Sequence, residues 1–309
     1  MSAPGVWWHT NTTRLFDPFT PAPTLRDLVR HALVDQGLAE HIPEPGRVLD
    51  IGGSGLQARL LARRGCQVTL VTPAPELRDA AVAALEREDS RTRQRVRVVL
   101  GDSPQAIEQL GGGWDLICWH DRKAAVGEPL LRALVQLTAP NGMLSLLLDN
   151  RAAHVLRPAF QGRWGDALAL LEAGPEAGTA TTPLELAELA EEFGAPVRQW
   201  YGVGVLVEHL GPTRPGAAQE EVVRLEWELG RRDPYRACAR QLHLICQRVR
   251  TENRVPEQGE VPAQQERGSQ DRGARSASPS AFDGLWDGWR VVLPDEASSP
   301  LREGWSVAP

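Results

Sequence analysis

Through its first half the chain alternates short apolar runs with longer segments of helical spacing, the pattern left by strands buried on both faces and joined by crossover helices. Arg47-Val48-Leu49-Asp50-Ile51 is β-prone and too short for a stable helix. Leu56, Leu60 and Leu61 then fall at helical spacing, residues 66–71 predict a second strand, and residues 74–88, rich in Ala, Leu and Glu, predict a second helix. Residues 95–100 and 114–120 read as two further strands. Residues 130–137 read as a helix that passes through Pro140-Asn141-Gly142 into a fifth strand at 143–150. Upstream, residues 25–38 form an amphipathic helical pattern with Thr24 placed to cap it. Downstream, residues 182–193 present Leu184, Leu186, Ala187 and Ala190 on one face before Gly194. A strand at 197–207, a helix at 217–231 carrying Val222, Val223 and Leu225, and a strand at 242–249 complete the series. Such alternation predicts a doubly wound α/β domain, which binds ligands beyond the carboxyl ends of its strands.

The turn after the first strand, Gly52-Gly53-Ser54-Gly55, carries the first chemical signal. Glycines permit positive φ and let backbone N–H groups approach a ligand at a helix start. The spacing is neither the G-x-G-x-x-G of dinucleotide folds nor the G-x-x-x-x-G-K-[ST] of phosphate-binding loops.

The order D-x-G-G at Asp50, Gly52 and Gly53 instead resembles the first motif of class I S-adenosylmethionine-dependent methyltransferases, whose loop wraps the methionine half of the cofactor. Gly101-Asp102-Ser103 stands where that family contacts adenine, and Trp114-Asp115-Leu116-Ile117-Cys118-Trp119-His120 resembles its fourth strand, which ends beside the reacting methyl group. The resemblance implies a Rossmann-like, mostly parallel seven-stranded sheet whose last two strands pair antiparallel at one edge. Within the family the chain is most similar to the tRNA 5-carboxymethoxyuridine methyltransferases. That branch is matched by Thr13-Arg14, Leu25-Arg26, Gly52-Gly53, Gln57 and His120. It is matched again by Asn150-Arg151-Ala152-Ala153-His154, Phe160-Gln161-Gly162, Gly202-Val203-Gly204-Val205, Arg232-Asp233-Pro234-Tyr235, Arg240 and His243, over roughly residues 8 to 249.

Residue by residue, the resemblance implies S-adenosylmethionine contacts from Arg26, Asp50, Gly52, Gly53, Thr72, Asp102, Ser103 and His120. It implies acceptor contacts from Arg14, Arg240 and His243 with Tyr235, the candidates for holding a carboxylate. Thr72 is a departure, because the family ends its second strand with an acidic residue that accepts both ribose hydroxyls. A hydroxyl there lacks the charge-assisted strength of a carboxylate, roughly twice that of a neutral hydrogen bond. Glu76, one turn later, is the acidic residue nearest in sequence after it.

Composition changes the picture at three points. Net charge is −6 over 309 residues, so no global basic field favours nucleic acid. Cys66, Cys118, Cys238 and Cys246 show no metal-ligand spacing, and each sits in an apolar segment, as buried thiols of a reducing compartment do. No metal site is expected. No secretory leader and no apolar run of 18 residues is present, which argues for a cytoplasmic chain without membrane association.

The domain organisation expected is an N-terminal arm or lid over residues 1–23, a methyltransferase-like domain over 24–250, a disordered linker over 251–280 and a tail over 281–309. Trp286, Trp289 and Trp305 in that tail suggest a segment that docks on this protein or on a protein partner. Three functions stay open at this point: a methyltransferase acting on tRNA, one acting on a small molecule, and a catalytically silent relative that serves as an interaction module.

Overall fold

The four apolar runs of the N-terminal half become parallel strands of a single sheet; the first, second and fourth are mostly buried, and the third lies at the edge and is only partly covered. The computed structural model describes residues 24–42, 45–52, 55–101, 107–120, 126–173, 182–210 and 213–250. The expectations for the N-terminal arm, the linker and the tail lie outside these residues, as do Arg14, Gly53, Asp102 and Ser103.

Helix α1 (Leu25–His41) opens the described domain. Strand β1 (Arg47–Ile51), α2 (Leu56–Arg63), β2 (Gln67–Thr72), α3 (Pro75–Leu85), α4 (Ser90–Gln94) and β3 (Val96–Leu100) follow. Then come β4 (Trp114–Trp119), α5 (Glu128–Leu137), β5 (Thr138–Asp149), α6 (Leu156–Phe160), α7 (Trp164–Ala173), α8 (Pro183–Glu192), β6 (Val197–Val203), α9 (Gln219–Gly230) and β7 (Gln241–Gln247). Spatial order is β3-β2-β1-β4-β5-β7-β6. The first four contacts are parallel, and β7 runs antiparallel to both β5 and β6. This is the seven-stranded, mostly parallel arrangement that the resemblance implies.

Thr24 begins α1 with a capping box: its hydroxyl accepts the Asp27 N–H at 3.2 Å, and Asp27 accepts the Thr24 N–H at 3.1 Å. Leu28, Val29, Ala32 and Leu33 then bury one face of the helix. At the sheet centre Leu49, Ile117, Leu144 and Leu146 are shielded from solvent, and each such side chain contributes about 1.5–3 kcal/mol by leaving water. No described helix is long and apolar enough to cross a membrane.

Several expected boundaries move for identifiable reasons. The helix expected over 74–88 stops at Leu85, because Asp89 caps a new helix by accepting the Arg91 and Thr92 N–H groups at 2.9 and 3.0 Å. The expected turn at Pro140-Asn141-Gly142 is absorbed into β5. Asn141 adopts φ +64° and donates its N–H to the Arg248 carbonyl at 3.0 Å, which carries the pairing with the end of β7 past it. The strand expected over 197–207 ends at Val203. Leu225 is exposed rather than packed, and the inward positions of α9 are Val223, Glu226 and Trp227. Cys238 is half-buried, while the other three thiols are buried and unpaired. Helices α6 and α7, the latter with Ala167 as its one buried side chain, have no counterpart in the predicted elements.

Glu226 explains why β6 stops early. Its buried carboxylate accepts the N–H groups of Val205, Leu206 and Val207 at 2.7, 2.9 and 2.6 Å, so these donors turn toward α9 instead of extending the sheet. Glu226→Ala should leave the buried Val205 and Val207 donors and the part-buried Leu206 donor without a partner and destabilise the fold by at least about 2 kcal/mol, at roughly 1–3 kcal/mol for each of the two buried donors. Urea denaturation followed by circular dichroism measures this; a loss below about 1 kcal/mol would show that the loop is held by other contacts.

Candidate functional site

Register decides which residues share the carboxyl edge. Ile51 lies opposite Val71 of β2 and Trp119 of β4, so the next residues, Gly52, Thr72 and His120, reach the edge together. Gly52 turns at φ +79° and donates its N–H to the Val71 carbonyl at 3.0 Å. The Gly101 N–H reaches the Thr72 carbonyl at 3.0 Å, which brings the end of β3 to the same edge. Gly55, at φ +81°, starts α2, and a Cβ there would meet Ala81 and Leu70 at 3.1 Å. Leu56, the first helical residue, is buried.

Below this edge lie polar groups that the described protein does not satisfy. Thr72 is wholly buried, and its Oγ1 has no hydrogen-bond partner. Asp50 is wholly buried too, with neither carboxylate oxygen in hydrogen-bond geometry. Burial pushes the Asp50 carboxyl up to about 7, and the nearby Ala58 N–H and Arg30 guanidinium offset that only in part. Arg30, on α1, donates from Nη2 to the His120 carbonyl at 2.8 Å and so ties the first helix to the end of β4.

These features fit S-adenosylmethionine. A glycine turn without Cβ at position 52 admits close backbone approach, and the orphaned Thr72 hydroxyl offers hydrogen bonding to a ribose. Glu76, in the first turn of α3, is exposed.

His120 belongs to a second buried cluster. Its Nε2 lies 2.8 Å from Ser145 Oγ on β5, and the same hydroxyl lies 2.7 Å from Nε2 of His243 on β7. The two rings meet edge to face at 5.6 Å. Burial holds both rings neutral, His243 at about 3 and His120 well below the ordinary histidine value, and each is also opposed by the positive charge of Arg30. Toward the surface, Tyr201 donates its hydroxyl proton to Glu40 at 2.7 Å, with the His41 ring nitrogen 2.8 Å away.

Three of the four expected acceptor residues, Tyr235, Arg240 and His243, lie among the described residues. His243 is completely buried and uncharged, so it offers neither the surface nor the cation needed to hold a carboxylate as expected of it. Arg240 lies at the carboxyl end of β5, where its Nη1 pairs with Asp149 at 2.6 Å. Asp149 also meets His154 Nε2 at 2.7 Å, so this end carries a half-exposed Arg–Asp–His group. Tyr235 is half exposed on a 3-10 turn. Arg26 donates from Nε to the Val207 carbonyl at 3.1 Å and from Nη2 to the Leu210 carbonyl, with Glu208 3.8 Å away, so its guanidinium fastens the loop after β6.

Sequence reasoning passed over Arg30, Ser145 and Asp149. Arg30 and Ser145 carried a detectable signal, a cation one position past the apolar pair Leu28-Val29 of an amphipathic helix and a hydroxyl inside the run Met143-Leu144-Ser145-Leu146.

No family model matches the chain. Among curated proteins it is similar to the tRNA 5-carboxymethoxyuridine methyltransferase of Escherichia coli strain K12, with 27% identity over 244 residues covering 75% of this chain and 91% of that protein. It is also similar to the ubiquinone biosynthesis O-methyltransferase of Xanthomonas campestris pv. campestris strain B100, with 36% identity over 133 residues, 40% of this chain and 52% of the relative. Among solved structures, the magnesium protoporphyrin IX methyltransferase of Synechocystis PCC 6803 with bound SAH aligns over 72% of this chain and 84% of that one, with 14% identity and a TM-score of 0.46.

Asp50 makes the buried electrostatics measurable. Its carboxyl is raised in the folded state, so ionising it opposes folding, and that contribution to stability falls as pH rises from about 4 to about 7. Asp50→Asn should therefore gain stability relative to the native chain across this window, by at most about 1.4 kcal/mol per pH unit. Paired denaturation curves at pH 4.5, 5.5 and 6.5 test this, and a pH-independent difference would mean that Asp50 is not perturbed.

Proposed function

We propose that this chain, which has the class I S-adenosylmethionine-dependent methyltransferase fold and S-adenosylmethionine-dependent methyltransferases as relatives, methylates a carboxylate on a modified wobble uridine of tRNA. The observation that carries the substrate reading is extent. The likeness to the tRNA enzyme runs through 91% of that protein, whereas the likeness to the ubiquinone enzyme covers 52% of its own. Arg240 at the carboxyl end of β5 supports an anionic acceptor.

Gly52, Thr72 and His120 hold the cofactor in this reading, with Asp50 beneath the turn. When bound, S-adenosylmethionine supplies an activated methyl group on a sulfonium. The protein's task is then to orient the acceptor in line and to exclude water. A carboxylate is already a nucleophile at neutral pH, so no side chain has to remove a proton from it. Arg240 is positioned by Asp149 and by the Asn150 N–H, which donates to the Arg240 carbonyl at 2.9 Å. The expected contacts from Arg14 and Tyr235, and the docking role of the tail, belong to the same proposal.

A small-molecule acceptor is the second reading, and two observations favour it. Net charge is −6, and Trp164, Leu168 and Leu171 leave an apolar face of α7 exposed after the β5 edge, a surface of the wrong character for RNA phosphates.

Incubating the purified chain with S-adenosylmethionine and tRNA bearing 5-carboxymethoxyuridine, followed by nucleoside mass spectrometry, should show the methyl ester. Its rate should fall steeply between 50 and 200 mM salt, as phosphate contacts require. Arg240→Ala should reduce the rate by roughly tenfold or more, in line with about 1.5–3 kcal/mol for a hydrogen bond to a charged group. Turnover of small carboxylic acids or phenols with none on tRNA would replace this reading with the second.

A further inference from the structure

We propose that His120 is a fixed hydrogen-bond donor at the carboxyl end of β4, its tautomer set by His243 through the Ser145 hydroxyl, and that its partner is a lone-pair oxygen, carboxylate or carbonyl, of the bound ligand. The tautomer follows from proton counting. The ligand contact rests on the reading of this edge as the cofactor and acceptor site.

Ser145 Oγ has two partners among the described residues, Nε2 of His120 and Nε2 of His243. A hydroxyl carries one proton, so it donates to one ring and accepts from the other. With both rings neutral, one Nε2 is protonated and the other bears a lone pair, and the pair therefore has two arrangements.

His243 chooses between them. Its Nδ1 is buried without a partner, and it lies so close to α1 that a Cβ on Gly37 would stand 3.0 Å from it. A proton on that nitrogen would be a buried donor with nothing to receive it, and orphaned donors are rarer than under-used acceptors. His243 consequently carries its proton on Nε2 and gives that hydrogen bond to Ser145. Ser145 in turn donates to His120 Nε2, and His120 is left with its proton on Nδ1.

His120 Nδ1 has no hydrogen-bond partner among the described residues, while the His120 carbonyl is held by Arg30 at 2.8 Å. An N–H at this edge matches an oxygen lone pair and cannot take up a proton. His120 is thus a positioning donor rather than a general base, which agrees with an acceptor that arrives already ionised. The same count gives a reason for a serine on the otherwise apolar inner run of β5, and it makes His243 a positioning residue that acts through two others.

The test uses the full chain labelled with 15N-histidine and long-range 1H–15N correlation of the imidazole rings at pH 7.5. His120 should appear as the Nδ1–H form and His243 as the Nε2–H form. Ser145→Ala should abolish the Nδ1–H preference of His120, and His243→Phe, which removes the ring that orients the serine proton, should weaken it toward a mixture of the two tautomers. Thermal unfolding of each variant establishes that it is folded, and the native-chain spectrum decides the tautomer even if a variant is not. His120 as Nε2–H in the native chain, or a tautomer unchanged in folded Ser145→Ala, overturns the proposal. Added S-adenosylmethionine or acceptor should move the His120 Nδ1–H resonance, and a ligand that binds by calorimetry without moving it removes the donor role. If calorimetry detects binding of neither compound, the methyltransferase reading and the ligand contact both fail, while the tautomer of the chain alone stands or falls by itself.

Discussion

Parallel pairing of β1 between β2 and β4 is the constraint from which the rest of this molecule follows. With Ile51 opposite both Val71 and Trp119, Gly52, Thr72 and His120 reach one edge in the same row. A slip of one residue would also turn every side chain of β1 to the other face, moving Leu49 and Ile51 out of their layer of the core. Hydrophobic burial therefore fixes the site as firmly as it fixes the fold, and α1 is drawn into the same arrangement when Arg30 reaches the carbonyl of His120.

Beneath that edge the protein keeps polar groups where the dielectric is low and gives several of them no partner. Among the described residues, the Thr72 hydroxyl has no hydrogen-bond partner and the Asp50 carboxyl is offset only in part by the Ala58 N–H and Arg30, an arrangement that costs stability unless a further group satisfies them. Glu226 is the contrasting case. It is buried as well, yet three backbone donors satisfy it, and its role is to shape the loop that follows β6. The same low dielectric that raises Asp50 keeps His120 and His243 neutral, and a neutral histidine pair can share one serine proton in an ordered way.

Much of this was legible in the chain. The strand edges were predicted to within about two residues for β1 through β4, because parallel strands inside a doubly wound sheet leave short apolar runs, even at the partly covered edge strand β3. The helices with strong caps, α1 after Thr24 and α8 after Thr182, were equally clear. What escaped prediction depends on contacts remote in sequence. Nothing near Val203 announces that the N–H groups of Val205, Leu206 and Val207 belong to Glu226, 19 to 21 positions away, so the predicted β6 is too long. Pro140-Asn141-Gly142 looks like a turn locally, and only the return of β7 shows it to be paired. That Gly52, Thr72 and His120 follow the carboxyl ends of neighbouring strands was readable from the D-x-G-G turn and the strand order. The burial of His243 was not, because one histidine in an apolar strand reads the same whether it faces a ligand or a serine.

The central claim is that this edge binds S-adenosylmethionine although Thr72 ends β2 where a carboxylate is usual. Calorimetric titration of the full chain with S-adenosylmethionine and S-adenosylhomocysteine, on native protein and on Thr72→Val, tests it most directly. The account predicts saturable one-site binding by the native chain, weakened roughly fivefold or more in the variant by loss of about 1 kcal/mol of hydrogen bonding. No heat of binding at millimolar ligand, or an affinity indifferent to Thr72→Val, would contradict it.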